Sequence, residues 1–379
     1  RTTDDNDEAN ASEGRSSVRK GGVVHMLFII FLTGKCNLNC KYCGGSLPEE
    51  VMAPEITYDL ELLKEFISKD SKPSIAFYGG EPLLRIELMK RIMDEIEARY
   101  IIQTNGLFLD KVPEEYINKF SSILVSIDGR KEINDFYRGE TYDRVIKNVK
   151  KIKRFYKGEI IARMVASEKT DIFKDVVHLL NLNLFDYVHW QINAVWSPEG
   201  LWRDFKAWVQ RYNKRITKLV DFWFKSMKKG KVLGIVPFLG VMKALLSEPN
   251  TSPPCGAGIN SFAIATDGRV LACPICSEFK WNVLGNLNSD PRALIGKIEI
   301  LEPCKSCELA KICGGRCLFF NRERLWGEEG FRLVCSTARH LIKEIERIEP
   351  KVEKLIEKGT INKEELLYPR YNNTTEIIP

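Results

Sequence analysis

Apolar positions along the chain fall into short runs separated by amphipathic stretches. Leu27–Leu32, Ser74–Tyr78, Tyr100–Gln103, Ile123–Ile127, Ile160–Val165 and Tyr187–Ile192 are four to six residues long and rich in β-branched and aromatic side chains, as buried strands are. Between them, Thr57–Lys69, Leu83–Arg99, Glu114–Phe120, Tyr142–Tyr156 and Ile172–Leu182 carry apolar residues at helical spacing. Six strand–helix alternations predict an α/β fold, a parallel sheet with helices outside. Six units are too few for a closed eight-fold barrel, so an open, partial (β/α)6 barrel is expected. Chemistry in such sheets gathers at the C-terminal ends of the strands, so functional residues should follow strands and not precede them.

The rest of the chain reads differently. Trp196–Glu248 is helical and carries Trp202, Trp208, Phe222, Trp223 and Phe224, a stripe expected to be core that joins two halves. Cys255–Cys335 is short on regular structure and holds eight of the eleven cysteines, so metal must stand in for a hydrophobic core there. A charged amphipathic helix is expected from Cys335 to about Lys358, and Leu366–Pro379 has no clear pattern. Arg1–His25 is polar and lacks aromatics, which predicts a disordered leader or tag. The expected units are therefore 1–25 (leader or tag), 26–195 (barrel), 196–250 (helical bridge), 251–340 (cysteine-rich domain) and 341–379 (C-terminal helix and tail).

Composition narrows the function. No stretch approaches the roughly 18 uninterrupted apolar residues of a membrane span. Eleven cysteines without a secretory signal, grouped in CxxxC and CxxC units, suggest metal ligands converging on a point, not disulfides, and a reducing, cytoplasmic compartment. The net charge of +6 invites an anionic partner, but the basic run Lys147–Lys157 has helical spacing and reads as a solvated face. No dedicated nucleic-acid module is present.

Directly after the first strand comes Cys36-Asn-Leu-Asn-Cys40-Lys-Tyr-Cys43. Three cysteines at CxxxCxxC spacing can hold three irons of a cubane and leave the fourth open to chemistry. No histidine or fourth cysteine lies nearby to close a zinc site. The motif, with the aromatic Tyr42 before its last cysteine, resembles the signature of the radical S-adenosylmethionine (AdoMet) superfamily. Gly79-Gly80-Glu81-Pro82 after strand two resembles that superfamily's GGEP segment, which holds the cofactor's amino group. Thr104-Asn105-Gly106 follows strand three. Ser126-Ile127-Asp128-Gly129, with Arg138-Gly139 beyond, resembles the superfamily's S-x-D-G…R-G stretch, in which the serine and aspartate lie near the cofactor. Arg163 on strand five is a candidate partner for the cofactor carboxylate, a surface arginine being the bland alternative.

Downstream, Cys255 is followed after twelve residues by Gly268 and after four more by Cys273, then by Cys304-x2-Cys307-x5-Cys313-x3-Cys317 and Cys335. This resembles the seven-cysteine pattern of SPASM domains, C-terminal extensions of radical enzymes that mature peptides and proteins. The resemblance implies one auxiliary 4Fe–4S cluster on Cys255, Cys273 and Cys317, and another on Cys304, Cys307, Cys313 and Cys335. Cys276, in a Cys-Pro-Ile-Cys unit, is expected to close the first of these; the alternative is a buried free thiol. Three such clusters would bring about −5 of charge and leave the loaded protein near neutral.

The implied function is reductive cleavage of AdoMet to a 5′-deoxyadenosyl radical for oxidative crosslinking or dehydrogenation of a peptide or protein. An electron donor such as ferredoxin or flavodoxin is implied as partner. Alternatives are a small-molecule substrate such as a tetrapyrrole side chain and, behind it, RNA modification. Pro274 after Cys273 departs from the sulfatase-maturase branch, which places an acidic candidate base there. A winged-helix domain, common among peptide maturases, is not expected before the first strand. Tyr78, His189, Asn193 and Asp267 could approach the active site, and the catalytic base is left unassigned.

Overall fold

Every residue of Leu27–Phe31 (β1, LFIIF) is buried, as a strand covered on both faces of a parallel sheet must be. The computed structural model describes residues 25–193, 201–247, 249–250, 252–367 and 379. β1 pairs in parallel with β2 (Ser74–Tyr78), and the sheet continues through β3 (Arg99–Thr104), β4 (Phe120–Ser126), β5 (Glu159–Ala166) and β6 (Tyr187–Ile192), all parallel. On its other side β1 pairs in parallel with β7 (Ser261–Ile264), followed by antiparallel β8 (Arg269–Leu271) and β9 (Val283–Asn286). The nine-stranded order is β6-β5-β4-β3-β2-β1-β7-β8-β9, open at both edges. Segments on both sides of residue 250 thus share one sheet, β7 to β9 being strands that the alternating pattern did not reveal.

The helices of the parallel half are α1 (Leu60–Ser68), α2 (Ile86–Glu95), α3 (Glu114–Ile117), α4 (Lys131–Arg138), α5 (Tyr142–Ile152) and α6 (Ile172–Asn181). Asp59 and Asp171 cap α1 and α6 with side-chain acceptors for first-turn amides. All five expected helices are shorter, two of them because a strand claims their last residue. Leu83–Arg99 breaks into a 3-10 turn at Pro82–Arg85 followed by α2, because Arg99 pairs with Ser74 and opens β3. Glu114–Phe120 reduces to α3, because Phe120 pairs with Tyr100 and opens β4. The eight residues of α4 were too few to show a period. The lysines of Lys147–Lys157 face solvent from α5 and beyond, as expected.

The second half contributes α7 (Phe205–Met227), α8 (Val236–Leu246), α9 (Ala310–Cys313), α10 (Leu318–Glu323) and α11 (Gly327–Glu357). α11 begins eight residues before Cys335, so this cysteine sits inside the helix and not at its start. The aromatic stripe packs on both sides: Phe222 meets Phe173 of α6 at 6.0 Å, while Trp202 meets Trp326 at 6.1 Å and the neighbouring Phe205 meets Trp326 at 4.7 Å between ring centres. Trp196, residues 1–24 of the leader and most of the C-terminal tail lie outside the described residues. One face of the sheet buries Leu27, Ile29, Phe31, Ala76, Ile101, Leu124 and Ile161, an apolar floor beneath the strand ends. Among the described residues, no helix is long and apolar enough to cross a membrane.

Candidate active site

The polypeptide leaving β1 carries Cys36, half-buried, Cys40, buried, and Cys43, exposed. The amides of Cys43 and Gly44 both donate to the Cys40 carbonyl (3.1 and 3.0 Å), a tight turn that turns the two thiols toward one another. Gly44 and Gly45 complete it at φ +73° and +88°, where a side chain is strained. The Cys40 thiol donates to Cys43, which holds Cys43 below the ordinary thiol range, and burial raises Cys36.

The ends of β2 and β3 are bonded to this loop. Gly80 N donates to Thr33 O (3.0 Å) and Glu81 N to Lys35 O (2.9 Å). A Cβ on Gly79 or Gly80 would lie 2.4 Å from Thr33 O or 2.2 Å from Lys35 O, so the glycines admit the cluster loop's own backbone. The buried Glu81 carboxylate accepts from Thr104 Oγ1 (2.7 Å), Asn105 N (2.7 Å) and Leu83 N (3.0 Å). Burial pushes this carboxyl up to about 7, the three donors pulling the other way. Asn105 Nδ2 then donates to Asn37 Oδ1 (2.8 Å), inside the CxxxC segment. Pro82 starts the 3-10 turn that follows.

β4 ends in a second junction. Asp128 is fully buried; its Oδ2 accepts from Tyr42 Oη (2.7 Å) and Arg138 Nε (2.9 Å), and its Oδ1 from Val165 N (2.9 Å). One carboxylate thus joins the cluster loop, β4, α4 and β5. The Arg138 guanidinium also lies over the Tyr42 ring at 5.4 Å. Ser126, Arg163 and His189 are register partners across β4, β5 and β6, so they lie in one row across the sheet, Ser126 at the end of β4, Arg163 and His189 within β5 and β6. Tyr78 ends β2 with its ring 5.2 Å from Phe31, and Asn193 follows β6. Asp267, by contrast, is exposed in the β7–β8 turn and paired with Arg269 at 2.6 Å. Every cofactor candidate except Arg163, which lies within β5, therefore ends or follows a strand or belongs to the loop after β1. Sequence reasoning missed Asn37, Asn134 (which accepts from Asp128 N at 3.2 Å) and the buried pairing of Arg138. The S-x-D-G…R-G spacing carried a signal for the last of these; the two asparagines left none.

Eight further cysteines lie in the second half. Cys304 is within electrostatic reach of Cys307 and Cys335, and Cys313 of Cys304 and Cys335, so these four are brought together; burial pushes Cys313 up to about 12. Arg339 on α11 donates to Cys307 Sγ (3.3 Å) and is paired with Glu308. Cys273 and Cys276 share one turn, which the buried Asn282 holds by accepting from Cys273 N (2.8 Å) and donating to the carbonyls of Cys273 (2.8 Å) and Cys276 (3.0 Å). Asn250 and Ser252 bond to the carbonyls of Lys311, Ile312 and Gly314, which fastens the segment before Cys255 to the one between Cys307 and Cys317.

None of the eleven cysteines forms a disulfide. Among the described residues, no three His, Cys, Asp or Glu side chains are gathered tightly enough to hold a single metal ion. A cubane takes each thiolate on a separate iron, so its ligands stand around a volume, and all-cysteine donor sets suit it.

Residues 30–180 match the family model of the Radical SAM superfamily. The chain is 25% identical over 322 residues to a cysteine-type anaerobic sulfatase-maturating enzyme of Clostridium perfringens (strain 13 / Type A), an alignment covering 74% of this chain and 85% of that enzyme. Its fold resembles native anSMEcpe with bound AdoMet and Cp18Cys peptide, with a TM-score of 0.67 and 20% identity over 88% of this chain and 99% of that one. It also resembles Streptococcus suis SuiB bound to precursor peptide SuiA, with a TM-score of 0.56 and 16% identity over 78% and 72% of the two chains. The family match runs from β1 into α6, across the strands whose ends carry the hydrogen-bonded network, so residues 30–180 carry a Radical SAM domain.

Proposed function

We propose that this enzyme oxidatively modifies a peptide or protein, using AdoMet and three 4Fe–4S clusters. The observation that carries the radical-generating part is the double tie of the cysteine loop to the strand ends, through Asp128–Tyr42 and through Glu81–Asn105–Asn37. When bound, the first cluster and AdoMet supply a 5′-deoxyadenosyl radical able to abstract a hydrogen atom. Cys36, Cys40 and Cys43 would hold that cluster. Gly79, Gly80, Glu81, Pro82, Thr104, Asn105, Ser126, Asp128 and Arg163, with Tyr42, would bind and orient the cofactor over it. Asp128 keeps Tyr42 and Arg138 fixed, and the apolar floor beneath keeps water from the reacting groups.

The peptide substrate is supported by relatives whose names and bound molecules are sulfatase-maturating enzymes and precursor peptides. Cys255, Cys273, Cys276 and Cys317 would hold one auxiliary cluster, and Cys304, Cys307, Cys313 and Cys335 the other. An auxiliary cluster held by these cysteines would supply an acceptor for one electron, so that a substrate giving up one hydrogen atom, that electron and one proton to solvent would be oxidised by two electrons. Such a balance suits a crosslink, a dehydrogenation or an aldehyde. Pro274 occupies the place where the sulfatase-maturase branch carries its acidic base, which favours another oxidation.

The test is anaerobic co-expression with small proteins encoded beside the gene, followed by mass spectrometry. Loss of two hydrogens from one peptide, dependent on Cys36, is expected. Unchanged peptides alongside demonstrated AdoMet cleavage would move the substrate to a small molecule such as a tetrapyrrole.

A further inference from the structure

Phe136, at the outer end of α4, is 39% exposed, the one aromatic among the exposed large apolar side chains of the described residues. Two lysine ammonium groups flank its ring, Lys41 at 4.8 Å and Lys169 at 4.5 Å. Both lysines are exposed, and neither has a carboxylate partner among the described residues. Nearby carboxylates are engaged elsewhere: Asp135 accepts from Tyr142 N, Glu132 from Arg130, and Glu168 from Arg203 N. A cation over an exposed ring is only weakly held, so the lysines are kept in place yet readily drawn to a stronger anionic partner.

This patch leads inward by direct packing. Phe136 meets Tyr137 edge to face at 4.9 Å, and Tyr137, which is buried, meets Tyr42 at 5.8 Å. Tyr42 lies between Lys41 and Cys43 in the sequence and packs in one apolar cluster with Cys40. The Lys41 amide donates to the Tyr137 carbonyl (2.9 Å), fastening the cluster loop to α4. Surface ring, buried ring and cluster loop thus form one continuous contact, with the exposed Cys43 beside it.

We propose that Lys41, Phe136 and Lys169 form the docking surface for a small acidic one-electron carrier protein that reduces the first cluster. The inference rests on the radical-generating reading of the cysteine loop. In the step, the reduced carrier gives up one electron and is oxidised, and the oxidised cluster on Cys36, Cys40 and Cys43 gains it. Unpaired positive charge steers an acidic partner, and the aromatic between the lysines supplies the desolvated anchor that such interfaces centre on.

The test compares two reductants on the anaerobically reconstituted enzyme: an acidic bacterial ferredoxin kept reduced, and excess dithionite, which needs no docking. First-cluster reduction is followed by EPR and 5′-deoxyadenosine by chromatography. The double variant Lys41→Glu/Lys169→Glu is expected to slow ferredoxin-driven reduction about tenfold or more at low ionic strength. The gap should close toward 1 M salt, where the Debye length is about 3 Å. The dithionite-driven yield should stay at the wild-type level, and Lys41→Arg/Lys169→Arg should retain ferredoxin coupling. Equal ferredoxin-driven rates in wild type and the charge-reversed variant would overturn the proposal. So would loss of the dithionite-driven yield in that variant, which would assign the lysines to the cluster site itself. A wild-type enzyme that releases no 5′-deoxyadenosine with dithionite would instead sink the radical-generating reading.

Discussion

Asp128 offers the sharpest perturbation of the site. Its side chain is fully buried, and it accepts hydrogen bonds from Tyr42, Arg138 and the Val165 amide. Asp128→Ala leaves the Arg138 guanidinium, itself 9% exposed, without its charge partner, and removal of one member of a buried pair costs about 3–5 kcal/mol. The stranded Tyr42 hydroxyl adds about 1–3 kcal/mol, not fully additive because all three groups share one site. Against a typical stability of roughly 5–15 kcal/mol this is a large fraction. Asp128→Asn keeps the shape and an acceptor oxygen, so it should lose clearly less. Urea unfolding of the apo-protein measures the stability difference. Iron analysis of the reconstituted protein measures the second consequence: with Tyr42 released, the cysteine loop should lose about four of about twelve irons while the auxiliary clusters persist. Wild-type stability in Asp128→Ala, or an Asn variant as damaged as the Ala variant, would refute the reasoning.

Three further outcomes are expected. Burial raises Glu81 to about 7, above its ordinary value of 4.5, so its contribution to stability is complete below pH 4.5 and is lost as pH rises through about 7. Glu81→Gln should flatten that part of the urea-midpoint profile of the apo-protein, and parallel profiles would contradict it. Cys276→Ala should alter the spectrum and iron content of one auxiliary cluster only; no change would make Cys276 a buried thiol. Asn282→Ala removes three hydrogen bonds from the Cys273–Cys276 turn and should cost about 1–3 kcal/mol per buried group left unpaired, with iron lost from the same auxiliary cluster.

The parallel half was legible because a strand buried on both faces writes a continuous apolar run: LFIIF and SIAFY have the bounds expected to within a residue. Helix ends were less legible where tertiary pairing decided them, as when Arg99 joined β3 instead of prolonging α2. β7 to β9 were hidden because strands of three or four residues carry too little period, and β7 owes its place to β1. The resemblance to radical AdoMet motifs singled out the loop, Glu81 and Asp128, and the strand-end rule agreed in placing them, with Thr104 and Asn105, at or after strand ends. It could not show that Glu81 and Asp128 are bonded to the cysteine loop's own partners, because such pairing joins residues 86 positions apart, as between Tyr42 and Asp128. Asn282 left no mark in the sequence, its partners being backbone atoms.

The most direct measurement is 5′-deoxyadenosine released per chain by the anaerobically reconstituted enzyme, beside a variant with Cys36, Cys40 and Cys43 all replaced by Ala. The wild type should release it and carry about twelve irons, while the variant should release none and keep about eight. Release by the variant would contradict the assignment of the first cysteine loop.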